Sequence, residues 1–236
     1  MTAADRAAVR RPPWWAQAWL VARKDLLIEL RTGEALATSI FFAVLVVILA
    51  SLSFHGGPAA GRVVAAGAIW LSVAFASVLA LGRIWQRERE DGALDGLLVT
   101  PLARSALFAG KVLGLVGFLL SVELVVIPIA ALLFAIDLLE VIAPLALVAL
   151  LATPGIAASG TLFGAMTVRT SARDLVLAVV LLPLLAPALL AAVVATRELF
   201  GGAPLVDVAD YLRILVAFDV IFLAGGASLF GTLVEG

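Results

Sequence analysis

The sequence predicts an all-α, polytopic membrane protein with six transmembrane helices, and three observations carry that prediction. Hydrophobic residues make up 64% of the chain and charged ones 14%, where a soluble domain carries about 25% charge to face water. The apolar residues fall in long blocks rather than in a helical stripe, and a run of about 20 such residues spans the hydrocarbon core as a helix. Lysine and arginine gather on one side of those blocks. Helices satisfy their backbone polar groups internally. A lipid-embedded barrel needs strands of about ten residues alternating apolar and polar, and no such alternation is present.

The first element is a cytoplasmic N-terminal segment, 1–35. Its first thirty residues hold Asp5, scattered arginines and a Pro12-Pro13 break, with none of the apolar core of a cleaved signal peptide. Trp15, Trp19, Ala22, Leu26 and Leu30 recur at 4-3-4-4 spacing, which makes one apolar stripe on a helix; Lys24 and Arg31 fall opposite, and Ile28 is the misfit. Tryptophans favour the headgroup level, so this reads as an amphipathic helix on the cytoplasmic interface. It serves as a plain flanking helix or as a functional elbow.

Six spans follow within 36–236, over 36–54, 63–81, 111–136, 144–166, 175–196 and 213–233, with Leu107 and Phe108 a possible earlier start for the third. Thirteen basic residues lie on one side: Arg6, Arg10, Arg11, Arg23, Lys24, Arg31, Arg83, Arg87, Arg89, Arg104, Lys111, Arg169 and Arg173. Arg62, Arg197 and Arg213 lie on the other, among Asp137, Glu140, Glu198, Asp207 and Asp210. The positive side faces the cytoplasm, so both termini are expected inside. Between the second and third spans lies the longest hydrophilic insertion, 83–110. There a charge run gives way to an apolar turn, and Thr100-Pro101 reads as a helix cap followed by proline in the first turn.

Few residues are candidates for chemistry. With no cysteine and one histidine, thiolate sites, disulfides and multi-histidine metal cages are excluded. Gly110-Lys111 lacks the upstream glycine and following hydroxyl of a phosphate loop. His55 sits in a short external loop, solvated or in passing contact with a ligand such as haem. Glu123 lies near the middle of the third span, where a carboxylate costs several kcal/mol; it either sets packing through a neighbouring helix or lines a substrate path. Asp219, about a turn and a half into the last span, reads as structural, and its depth differs from that of Glu123. Gly110, Gly114 and Gly117 share a face, as do Gly160 and Gly164, and small faces let helices approach closely. Pro154-Gly155, Pro183 and Pro187 interrupt their helices.

The stretch from Glu88, Arg89, Glu90, Asp91 and Gly92 through Leu97-Leu98-Val99-Thr100-Pro101 to Arg104, closed by Gly110-Lys111, resembles the cytoplasmic coupling segment of type 2 ABC exporter permeases. The resemblance implies that Glu88, Arg89, Glu90, Asp91 and Gly92 rest on an ATP-binding subunit. Arg23 to Arg31, Leu181 to Pro187 and Ala217 to Leu223 are similar to segments of the B subunit of the cytochrome c maturation haem exporter, a likeness that covers nearly everything after about residue 17. That resemblance implies a non-enzymatic permease in a bacterial inner membrane. ATP would be used by a separate ATPase chain, with haem as cargo and no cofactor held by this chain. Its expected partners are a haem-handling membrane subunit, a small accessory membrane subunit and lipid, with a homodimer allowed and no nucleic acid. An exporter of drug, lipid or polysaccharide, an intramembrane enzyme built on Glu123 and Asp219, and a structural scaffold are the competing readings.

Overall fold

The computed structural model describes residues 12–54, 56–90, 102–167 and 173–235. They form seven helices: α1 (Trp14–Thr32), α2 (Glu34–Ser53), α3 (Gly57–Glu90), α4 (Arg104–Leu133), α5 (Leu138–Thr167), α6 (Arg173–Phe200) and α7 (Ala209–Glu235). The six from α2 to α7 are long and apolar enough to cross a membrane, as expected.

Their ends lie further out than the apolar runs. Arg83 to Glu90 continue α3, and Arg104 to Gly110 already belong to α4, so the insertion at 83–110 is in good part helical. The physical reason is that Arg, Gln and Glu are strong helix formers, and charge marks the edge of the hydrocarbon, not the end of a helix. Asp91, Gly92 and the Thr100-Pro101 cap lie outside the described residues, as does His55.

A single glycine joins α1 to α2. Gly33 takes φ of 66°, and its N–H donates to the Glu29 carbonyl at 2.6 Å while its own carbonyl accepts from Ala37 at 2.9 Å. The left-handed conformation that closes α1 suits glycine. Glu29 Oε1 then accepts from the Leu36 amide at 2.8 Å, which satisfies one of the donors exposed at the start of α2.

α3 and α4 run through the bundle and α2 lies at its edge, packing on both. Small residues decide how closely the helices meet. Leu81 and Trp85 of α3 press on Gly160 and Gly164 of α5, and Phe108 of α4 fills the space beside Gly226 of α7. Trp70 Nε1 donates to Thr196 Oγ1 at 2.8 Å between α3 and α6, so its buried indole N–H is satisfied.

Candidate functional site

Among the described residues, two groups of polar side chains inside this apolar bundle meet on α4. The first sits where α1 packs along it. Gly110, Gly114 and Gly117 form a groove: a Cβ at Gly110 would stand 2.6 Å from the Ala18 carbonyl oxygen, one at Gly114 3.4 Å from Asp25 Cβ, and one at Gly117 3.1 Å from Leu26. Trp14 Nε1 donates to Ser105 Oγ at 3.0 Å, and Gln17 Oε1 accepts from the Ala103 amide at 2.9 Å. Contacts advance together along both helices, so α1 and the first half of α4 lie side by side.

The predicted stripe on α1 is therefore split. Ala22 faces α4, but Trp15 and Trp19 are 69% and 57% exposed and Leu30 is exposed too. The docked face runs from Gln17, Ala18, Val21 and Ala22 to Asp25 and Leu26, because a glycine groove admits side chains slimmer than indoles. The close approach brings Lys111 Nζ to 2.9 Å from Asp25 Oδ2, and Lys24 Nζ lies 3.1 Å from Oδ1. Lys111 is only 3% exposed. An ion pair this buried binds α1 to α4, since removing Asp25 leaves the Lys111 charge buried without that carboxylate.

The second group lies deeper. Glu123 is 2% exposed, and its Oε1 accepts a 2.7 Å hydrogen bond from Thr153 Oγ1 of α5. Oε2 is buried without a hydrogen-bond partner. Two residues beyond Thr153, Gly155 lies against Asp219 of α7, so closely that a Cβ there would meet the Asp219 carboxylate and Phe218. Both intramembrane acids thus converge on one turn of α5, Thr153-Pro154-Gly155, from different neighbours. Their expected difference in depth is corrected. Glu123 lies ten residues before the end of α4 and Asp219 ten residues after the start of α7, about 15 Å along either helix. The last helix begins at Ala209 rather than near Arg213, which moves Asp219 inward.

Beside Glu123, between α4 and α5, opens a groove of about 430 Å³ with apolar walls that include Leu124, Ile127, Ile142 and Leu150. Among the described residues, no group of three or more His, Cys, Asp or Glu side chains is placed to hold a metal ion. Glu88, Arg89 and Glu90 close α3, at the edge of the described chain. Thr153 and the Asp25–Lys111 pair were not singled out from the sequence; the available signals were a hydroxyl abutting Pro154-Gly155 and a lysine set within a glycine face.

The chain matches the family model described as CcmB protein over residues 16–229. It is 30% identical to "Heme exporter protein B" of Escherichia coli (strain K12) over 95 residues, 40% of this chain and 43% of that protein. Against "Heme exporter protein B" of Rhodobacter capsulatus it is 33% identical over 93 residues, 38% of this chain and 41% of the relative. The matched stretches thus span less than half the length of either curated relative.

Proposed function

The chain belongs to the CcmB family, and from that premise we propose that it is the permease subunit of an ABC-type haem exporter complex in c-type cytochrome biogenesis. In this reading a separate ATPase docks on the segment that starts at Glu88, Arg89, Glu90, Asp91 and Gly92. A haem-handling membrane subunit and a small accessory subunit complete the complex, with a homodimer of this chain allowed. The protein sits in a bacterial inner membrane with both termini in the cytoplasm, as the distribution of lysine and arginine favours.

The observation that carries the reading is the extent of the family match, 16–229, across α1 and all six apolar helices. The geometry supports a mechanical role. From Arg104 to Glu123 α4 contains no proline; its only one is Pro128. A displacement at its start therefore travels as rigid-body motion over about 28 Å. It reaches Glu123, and through Thr153 the proline turn of α5. The latch of α1 onto the first half of α4 makes those two helices move together. In this reading Glu123 is the intramembrane group that senses the ATPase cycle.

The test is complementation. In a host that lacks its own permease subunit, the chain restores c-type cytochromes and co-purifies with the ABC ATPase. Co-purification with no cytochrome restored would favour export of a drug, lipid or polysaccharide instead.

A further inference from the structure

The groove beside Glu123 is lined by that side chain, whose Oε2 has no hydrogen-bond partner among the described residues. Pro128 in α4 and Pro154 in α5 lack the N–H that a helix directs at the carbonyl four residues earlier, and those positions, Leu124 and Leu150, also line the groove. An otherwise apolar slot thus has one unpaired carboxylate oxygen in its wall. In hydrocarbon each unmet acceptor is costly.

We propose that this groove is the docking site for a membrane-spanning helix of a different subunit, which presents a hydrogen-bond donor to Glu123 at mid-membrane depth. Depth selects the occupant. Glu123 lies about 15 Å from the end of α4, roughly half of the hydrocarbon thickness of about 30 Å. A phospholipid keeps its donors at the headgroups, and its acyl chains have none. A helix carries Ser, Thr, Asn, Gln or Trp to any depth, and such side chains join helices in membranes.

A second copy of this chain fits poorly. Among the described residues, the exposed hydroxyls of Thr32, Thr38, Ser228 and Thr232 already donate to carbonyls of their own helices, and Ser53 is the last residue of α2. The groove is a recognition surface that the permease reading does not require, and it stands whatever cargo the complex moves.

The experiment places p-benzoylphenylalanine at Leu124 or Leu150, with Val220 on the exposed face of α7 as control, and irradiates membranes that hold the assembled complex. The adduct is mapped by mass spectrometry. The expected product joins the groove to a membrane span of another subunit, within one turn of a donor side chain, and is absent from the control. Glu123→Leu lowers it by about fivefold, one hydrogen bond's worth, as does alanine in place of the partner's donor. Glu123→Gln retains it, because the Thr153 hydroxyl accepts as readily as it donates, leaving the amide oxygen free to face the groove.

Ala146→Trp, at an exposed position on the groove wall, blocks the slot without touching Glu123, and decides the matter if Glu123→Leu fails to accumulate. Lipid adducts alone, an adduct between two copies of this chain, or an adduct indifferent to the blocking substitution would overturn the proposal. Because the readout is a cross-link, its failure is distinct from a failure to restore cytochromes.

Discussion

The Thr153 hydroxyl donates a 2.7 Å hydrogen bond to Glu123 Oε1 and so ties α5 to α4 at the centre of the bundle. A polar contact there is held in place by its surroundings, because neither group has water to turn to. It falls beside Pro154, where α5 lacks one backbone hydrogen bond, and Asp219 leans on the same turn from α7.

Topology is tested first. The chain has no cysteine, so single introduced cysteines report cleanly. Cysteines at His55, Asp137 and Gly202 are expected to react with an impermeant thiol reagent added outside intact cells, and those at Arg89 and Arg169 only after the membrane is opened. Labelling of the Arg89→Cys variant in sealed cells would reverse the orientation.

The latch between α1 and α4 predicts a stability pattern. Asp25→Ala removes the carboxylate from beside the buried Lys111, at a cost of about 3 kcal/mol, while Lys111→Ala costs less because Asp25 keeps Lys24 at 3.1 Å. The double variant is expected to recover part of that loss. Gly110→Leu also detaches α1, since the Ala18 carbonyl oxygen lies 2.6 Å from where its Cβ would be. Gly67→Ala, with open space around it, is the control. Thermal aggregation of the detergent-solubilised protein measures all five; equal midpoints for Gly110→Leu and Gly67→Ala would remove the latch from the account.

The six spans were legible in the sequence because lipid demands unbroken apolar runs, and these leave little room for another reading. Their ends were less so. Residues 83–90 looked like a loop by charge, but nothing in Arg-Gln-Glu chemistry stops a helix. Glu123 stood out through its position alone. Its partner did not, because Thr153 comes 30 residues later and the contact exists only once α4 and α5 pack. The contact face of α1 was not legible for a physical reason: in a membrane protein the largest apolar side chains can face outward, as Trp15 and Trp19 do, while alanine and glycine make the interior contact.

Coupling to the ATPase is tested at the end of α3. Carboxylates in the segment that starts at Glu88 can pair with arginines on a partner, but exposed pairs contribute only about 0–1 kcal/mol each. A combined change is therefore needed. Glu88→Lys with Glu90→Lys is expected to lower the recovery of the ATPase in pull-downs several-fold, with permease abundance unchanged. If ATPase recovery and cytochrome yield both stay at the level of the unaltered protein, these residues form a solvated charge run and nothing more.

The last prediction separates a packing role for Glu123 from a functional one. If Glu123 only holds α5, a neutral isostere serves as well, because Gln keeps the reach to Thr153 and avoids burying a charge. Glu123→Gln would then leave protein level and cytochrome yield near normal, while Glu123→Leu, which strands the Thr153 hydroxyl, lowers the level. If the carboxylate must exchange a proton or change partners as α4 moves, Gln assembles with the ATPase and still fails. Hydrogen bonds to a charged group contribute about 1.5–3 kcal/mol, so the yield is expected to fall by about tenfold or more. The second outcome is the one the geometry favours: an unbroken helix leads from the start of α4 to this residue, one of its oxygens is already engaged, and the other is unpaired among the described residues. A group that served packing alone would have both oxygens satisfied within the chain. Cytochrome yield measured beside membrane abundance for both variants decides it, and full yield with Glu123→Gln would assign the residue to packing.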